Sequence, residues 1–575
     1  MVQIYIFFLR KNVNIKEFEK KISEVHNQVK PDYIGSANLQ LEPLSKIHLH
    51  SFDTTWDFVK KGDIKVVFGL LFLGIFVLLI GIINYVNLST ANYIERIHEA
   101  AVKKAIGSSK IQLFLQNSFE AIIIILLSLY IAIILFQFIL PAFNNFTNNN
   151  FTIADLTNIK FFIYSIGVLL FLFLLSIIYP VILLLKNNCN LAIAKSKFEK
   201  RYIRKVFIII QFIFTIIMIV SSIFLQKQLN LVTQENLGFN KDQVVIISNP
   251  YGNNMKERFL NFKQEAGKLA FISSIAGTNN SPGESINNYG TTFLIANDEI
   301  KLNAGRVCVT PEFFRTVNAK FISGRDFEIN EGIDEKSVII NKAAFDALSN
   351  ENALNMLLNY KSINNEPLTI IGVIDNMQHQ SLHEPVRPAV YYLSQNLMND
   401  IVIRLKDGNH QLALQYLKKL WNNIAPDKPF DFEFLDDRIN EIYLYEIKAS
   451  KLTRIFTLVA IFLSCLGIFG LSLFSIKNRT KEIGIRKVNG AYNIEILAIF
   501  INEVFIWIAI AFIVACPISY YAMSRWLQNF AYKTELSWWV FFTAGIIALF
   551  IAILTVGWQS YRAASRNPVE ALRYE

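Results

Sequence analysis

Apolar residues run through this chain in long unbroken blocks, not at every third or fourth position. Stretches free of charged side chains occupy Val66–Leu88, Ala121–Leu140, Phe161–Leu185, Val206–Gln226, Ile455–Ile476, Val504–Ser524 and Leu536–Tyr561. Each has the ~20 residues a helix needs to cross a hydrocarbon layer of about 30 Å. A soluble helix of this length would carry a charged face, so the pattern predicts seven membrane spans. None has the flanks of a cleaved signal peptide. Between 227 and 447 the pattern changes. Short β-branched runs at Gln243–Ser248, Arg306–Val309, Ser337–Asn341, Leu368–Ile374 and Ile401–Leu405 predict strands. Met255–Leu269 and Gln411–Asn423 read as helices, and Ser281-Pro282-Gly283 and Ser323-Gly324-Arg325 as turns. The fold class is therefore a polytopic α-helical membrane protein with an α+β domain outside the bilayer.

Charge adds an orientation. The 575-residue chain is 53% hydrophobic and 18% charged, against roughly 25% charge in soluble proteins. Its net charge of +10 is unevenly spread: residues 227–447 hold 21 Lys and Arg against 27 Asp and Glu, or −6, leaving +16 elsewhere. The positives sit in short loops beside apolar runs, which is a topology signal and not a groove for nucleic acid. Segments 92–114, 186–205, 477–503 and 562–575 hold 4, 7, 5 and 3 Lys and Arg, while 141–160 and 525–535 hold 1 and 2. Basic loops stay in the cytoplasm. The expected orientation has the C-terminus inside and residues 1–65 and 227–447 outside.

An internal repeat accounts for an external N-terminus on an odd number of spans. After the span at 66–88 come Arg96, Glu99, Lys103, Lys104 and Gly107; after the span at 455–476 come Arg479, Glu482, Arg486, Lys487 and Gly490. The offsets are +3, +7, +8 and +11 in both, and the copies lie 383 residues apart (479 minus 96). Upstream, a strand at Gln3–Arg10 and an amphipathic helix at Ile15–Val29 parallel a strand at Asp400–Leu405 and the helix at Gln411–Asn423. On this reading the first repeat is incomplete and the chain is shortened at its start. The expected organisation is 1–65 as the tail of a first extracytoplasmic domain, 66–185 as a three-span unit and 186–205 as a basic linker. A stalk span at 206–226, the extracytoplasmic domain at 227–447 and a second three-span unit at 448–575 complete it.

Candidate chemistry is sparse. There is no GxxxxGK[ST] phosphate loop and no HExxH, CxxC or GxSxG pattern, so no ATP hydrolysis and no catalytic, cofactor or metal residues are expected. His379 and His383 are four apart, but Pro385 follows closely, and a loop reading is preferred to a metal pair; His48 and His50 get the same reading. Cys308 is alone in the external domain, so that domain holds no internal disulfide, and Cys465 and Cys516 lie within spans as packing residues. The spans hold no Asp, Glu, Lys, Arg or His, and Asn84 and Asn87 are among their polar exceptions. A hydrophilic conduction path is therefore not expected. Handling of large or amphiphilic cargo outside, or force passed across the membrane, fits better.

The sharpest motif is Arg479-Thr-Lys-Glu-Ile-Gly-Ile-Arg-Lys-Val-Asn-Gly490. As a helix it places Lys481, Glu482, Ile485, Arg486 and Asn489 at three- and four-residue steps, and Gly490 stops it. Exposed Ile483 and Ile485 would lie against the membrane or dock a partner. A lipid-headgroup anchor is the plainer alternative, but it does not explain the same spacing twice.

Arg479–Ala491, the upstream run Ala460–Gly470 and the terminal Asn567-Pro-Val-Glu-Ala-Leu-Arg573 resemble the permease subunits of MacB/FtsX-like ABC transporters. Leu237–Gln243, Gly324-Arg-Asp-Phe327 and Ser381–Pro388 resemble that family's periplasmic core domain, and 66–107 the matching part of the first half. The resemblance implies a bacterial inner-membrane permease that binds no ATP itself and depends on a separate cytoplasmic ABC ATPase. It implies coupling helices carrying Arg96, Glu99, Lys103, Lys104 and Gly107, and Arg479, Glu482, Ile485, Arg486, Lys487 and Gly490. These would pass ATP-driven motion to the extracytoplasmic domains for export or extraction of amphiphilic or peptide cargo. A membrane-fusion or other extracytoplasmic partner and membrane lipids are the further implied contacts. The first copy departs from the family pattern at Ala100, Ala101 and Ile106. The alternatives are a non-transporting regulator of cell-wall hydrolases and an inactive remnant of a transporter.

Overall fold

The computed structural model describes chiefly residues 13–29, 64–147, 150–159, 163–171, 192–235, 237–248, 255–284, 291–295, 300–328, 332–348, 356–359, 367–379, 382–394 and 399–565. In chain order its helices are α1 (Ile15–Val29), α2 (Ile64–Ala105), α3 (Lys110–Thr147), α4 (Ala192–Asn230), α5 (Met255–Ala266), α6 (Phe313–Val317) and α7 (Lys342–Ala347). They continue with α8 (His410–Ile424), α9 (Leu435–Ile442), α10 (Leu444–Asn478), α11 (Thr480–Val488), α12 (Asn493–Leu527) and α13 (Trp538–Ala564). The chain divides into two units, Met1–Ile75 and Phe76–Glu575. In the first, α1 carries a Glu17–Lys21 ion pair, and the Glu19 carboxylate accepts from the Leu41 amide.

Among the described residues, six helices are long and apolar enough to cross a membrane: α2, α3, α4, α10, α12 and α13. The run expected at 161–185 lies largely outside the described residues, as does the strand expected at 3–10. The segment 186–205, expected as a linker, is already helical from Ala192, so the stalk begins well before the apolar run.

Helix α4 is the hub of the second half. It packs against α10, α12 and α13, and more than half of its apolar window is buried, whereas no described residue in that of α3 is fully buried. Small residues make the contacts. Ala544, Ala548 and Ala552 of α13 and Ala511 and Ala515 of α12 recur at four-residue steps and are buried. Large side chains such as Phe462, Leu466, Phe469 and Leu473 face outward. Lipid is as apolar as these side chains, so close backbone approach and interhelical hydrogen bonds hold the bundle. The Leu463 carbonyl of α10 accepts from Asn84 Nδ2 of α2 at 2.5 Å and from Gln211 Nε2 of α4 at 3.4 Å. One residue on, Ser464 and Thr215 hydroxyls meet at 2.7 Å.

The sheet domain comprises β1 (Val244–Ser248), β2 (Ile272–Thr278), β3 (Thr291–Ile295), β4 (Ile300–Val309), β5 (Phe321–Gly324), β6 (Ser337–Asn341), β7 (Leu357–Asn359), β8 (Pro367–Ile374), β9 (Ala389–Leu393), β10 (Asp400–Leu405) and β11 (Phe432–Phe434). Its pairing order is β11-β1-β10-β2-β4-β3-β7-β8-β6-β9. The first four strands form an antiparallel lobe, against which α5 and α8 bury Phe259, Phe262, Leu417 and Trp421. A single register contact, Thr278 with Val309, leads to the second lobe. There β9 returns to pair in parallel with β4, closing β4, β3, β7, β8, β6 and β9 into a ring, with β5 added on β8. Cys308 is buried inside, its thiol 2.6 Å from Tyr392 Oη. A third core of Phe314, Tyr391, Tyr443 and Ile439 lies between the lobes and reaches Phe530, in the loop between α12 and α13.

Candidate functional site

Helix α11 forms where α10 breaks. Arg479 adopts φ −106° and ψ 12°, and Thr480 Oγ1 turns back to the Ile476 and Lys477 carbonyls at 3.0 and 2.9 Å. The other end is a Schellman closure. Gly490 sits at φ +91°, the Ala491 amide donates to the Arg486 carbonyl at 3.0 Å, and the Gly490 amide donates to that of Lys487 at 3.0 Å. No atom crowds the Cβ position of Gly490, so glycine is required there only by the left-handed backbone.

Of the expected site residues, Glu482, Ile485 and Arg486 share one exposed face of α11, with Lys481 and Asn489. Glu482 and Arg486 pair at 2.8 Å with half of each side chain in solvent. Such a pair adds roughly 0.3–0.5 kcal/mol, so its charges remain available to a partner. Lys487 is half-buried. Ile483 corrects the sequence reading: with Gly484 it is buried in the core that also contains Ile496 and Phe500. Residues two apart on a helix do not face the same way, so Ile483 anchors α11 while Ile485 is presented. Val488 of α11 is also exposed, as are Tyr492 and Ile494 at the start of α12; sequence reasoning singled out none of the three.

The first copy is built differently at its start and alike at its end. Helix α2 runs unbroken from the span to Ala105, so Arg96, Glu99, Lys103 and Lys104 extend the span's own helix. The side chains of Arg96, Glu99 and Lys104 lie outside the described residues. Lys103 Nζ donates to Gln116 Oε1 at 3.1 Å. Gly107 has φ +104°, and the Ser108 amide donates to the Lys103 carbonyl at 2.9 Å, matching the Ala491–Arg486 bond after Gly490. Each closure leads into a helix whose first-turn side chain caps it: the Ser109 amide donates to Gln112 Oε1, and the Tyr492 amide to Glu495 Oε2.

Helix α10 links this end to the sheet domain. Its start follows α9 directly, and the buried hydroxyl of Tyr443, between them, accepts from Gln378 Nε2 and from the Leu382 amide. His383 bridges the junction: Nε2 meets Glu446 Oε1 of α10 at 2.9 Å, Nδ1 meets the Asn529 carbonyl at 3.0 Å, and the ring stacks on Phe530 at 4.2 Å. Gln228 of α4 holds the same loop through the Tyr532 carbonyl and the Thr534 amide, each at 2.8 Å. His379 has a different partner, Tyr391 Oη at 3.0 Å, and burial pushes its pKa down to about 4. Nearby, burial and then the Asp400 charge push Glu284 up to about 7, against the pull of Arg438.

These features define a multi-pass membrane protein whose bundle is tied through a continuous helix to an α+β sheet domain. Residues 71–189 and 454–568 each match the FtsX-like permease C-terminal family. Over 305 residues it is 24% identical to a probable export ATP-binding/permease protein of Pseudomonas fluorescens, covering 49% of this chain and 45% of that protein. Over 276 residues it is 25% identical to the uncharacterized ABC transporter permease YknZ of Bacillus subtilis, covering 46% and 68%. The macrolide export ATP-binding/permease protein MacB of Chromobacterium violaceum is 24% identical over 289 residues, covering 48% and 44%. The chain thus spans somewhat less than half the length of the two ATP-binding/permease relatives. Among solved structures, the extracellular domain of the noncanonic ABC-type transporter YknZ from Gram-positive bacteria aligns with 33% of this chain and 98% of its own, at 9% identity and a TM-score of 0.23.

Proposed function

We propose that this chain is the permease subunit of an ABC transporter. A separate cytoplasmic ATPase docks on the α2 extension and on α11, and the bundle passes its motion to the sheet domain for export or extraction of amphiphilic or peptide cargo. The observation that carries this reading is the exposed face of Glu482, Ile485 and Arg486 on a short helix anchored by Ile483. From there α10 runs without a break to the sheet domain. The two permease matches begin 383 residues apart (454 minus 71), the offset of the two charged motifs, which supports an internal repeat. In this account the basic loops and C-terminus face the cytoplasm and anionic headgroups, the sheet domain lies outside, and 161–185 is a further span.

ATP turnover tests the reading. The purified chain alone hydrolyses no ATP, and reconstitution with its ATPase gives turnover. Glu482→Lys and Ile485→Asp each weaken the assembly by burying an unmatched charge at a protein contact, a loss of several kcal/mol. On a headgroup surface, Glu482→Lys would instead strengthen contact by about 1 kcal/mol. Unchanged assembly in both variants removes the docking role.

A further inference from the structure

Glu503 of α12 lies at the end of the bundle where α10 gives way to α11. Its carboxylate is shared between two helices: Oε2 is 3.2 Å from Arg479 Nη2, and Oε1 is 3.5 Å from Lys205 Nζ of α4. Arg479 is the residue at which the chain turns into α11, and Lys205 lies on the central helix α4 immediately before its apolar run. All three side chains are largely withdrawn from solvent, at 19%, 20% and 33% exposure for Arg479, Glu503 and Lys205. Phe500 and Trp507, three residues before and four after Glu503, share its face of α12. The Arg479 guanidinium lies 5.6 Å from the Phe500 ring centre, and the Lys205 ammonium 5.8 Å from that of Trp507. Helix α12 therefore presents a ring–carboxylate–ring stripe on which cations from two other elements rest. Charge-assisted contacts in a half-buried setting are stronger than surface pairs. Without the carboxylate, two like charges would face each other there.

The sequence repeats this anchor. Arg96 precedes Glu120 by 24 residues, as Arg479 precedes Glu503 by 24 (120 minus 96, 503 minus 479). Glu120 lies on α3, the helix that follows the first closure, as α12 follows the second. At the positions of Phe500 and Trp507 the first half has Asn117 and Ile124, so the carboxylate recurs without the rings.

We infer that Glu503, and Glu120 in the first half, are positioning residues that lock each coupling segment to its bundle, Glu503 by tying the start of α11 to α4 where its apolar run begins. What the lock transmits rests on the transporter reading; the lock itself does not. The test is hydrogen exchange on the full chain in nanodiscs without an ATPase. Glu503→Gln raises exchange of the 480–488 amides about tenfold and leaves 244–248 and 401–405 unchanged. The inverted triple variant, Arg479→Glu with Lys205→Glu and Glu503→Arg, restores protection. Glu120→Gln raises exchange of 96–105 in the same way. Unchanged exchange in 480–488, or no rescue by the inverted triple, overturns the lock; unchanged exchange in 96–105 overturns its first-half copy. A loss of protection spread to 244–248 assigns Glu503 a merely structural role and also overturns it. An intact lock with no ATP turnover on reconstitution would sink the transporter reading alone.

Discussion

Adding one methyl group at Gly467 is expected to be among the most damaging small changes in the bundle. A Cβ there would stand 2.2 Å from Asn84 Oδ1, 2.9 Å from Gln211 Nε2 and 3.0 Å from Gln211 Oε1. Neither side chain can simply swing away, since both amides are buried and both donate to the Leu463 carbonyl. Overpacking a filled core costs about 1–3 kcal/mol, and each interhelical hydrogen bond lost in a membrane about 0.6 kcal/mol. Gly467→Ala should therefore destabilise by about 2–4 kcal/mol. Gly470→Ala is the control. Its Cβ would meet Leu88 Cδ2 at 2.2 Å, but Leu88 is exposed and its tip can turn into lipid. That change should cost less than about 1 kcal/mol. Unfolding by SDS titration in mixed micelles measures both. In an Asn84→Ala background the Gly467→Ala cost should shrink, because the obstructing oxygen is gone. Equal costs at 467 and 470, or no coupling to Asn84, would refute the argument.

Three further outcomes follow from the structure. Gly490→Ala should cost about 1–2 kcal/mol by forcing an alanine into the left-handed region, with Gly490→Asn milder; equal exchange of the 480–488 amides in both variants would contradict this. Glu284 keeps its proton in the folded state up to about pH 7, while the unfolded chain releases it near 4.5. Its contribution to stability therefore falls as pH rises across that window and levels off above it. Glu284→Gln should then raise the melting temperature at pH 8 and leave it unchanged at pH 4.5, and a pH-independent difference would exclude the effect. For orientation, cysteines placed at exposed Leu412 and Val488 in a cysteine-free chain should react with an impermeant thiol reagent from outside and only after permeabilisation, respectively; the reverse order would invert the topology.

Much of this architecture was legible because membrane spans satisfy their backbone internally and therefore need continuous apolar runs. Amphipathic periodicity placed α1 at its observed limits and α8 within a residue at each end. The stop at Gly490 was legible because a left-handed closure leaves glycine as a signature. The ring in the sheet domain was not, since β4 and β9 pair across about 80 residues of chain and parallel partners leave no local turn signal. Strands β2, β3, β5, β7, β9 and β11 were missed, the end of β5 being read as a turn. Ile483 was misread because a charged motif suggested a fully exposed helix, while helical geometry separates it from Ile485. Glu503 was invisible as an anchor: a lone charge at the edge of an apolar run looks like a span boundary until its partners on α4 and α11 are seen.

The central claim is that nucleotide-driven motion enters at α11 and leaves at the sheet domain. Paired spin labels at Leu412 on α8 and Tyr561 near the end of α13, both exposed, report the distance between the sheet domain and the far end of the bundle. Measured by double electron–electron resonance on the ATPase complex in nanodiscs, that distance distribution should shift when ATP is trapped on the ATPase. Glu482→Lys should abolish the shift. An identical distribution with and without trapped nucleotide, in a complex that turns ATP over, would contradict the account.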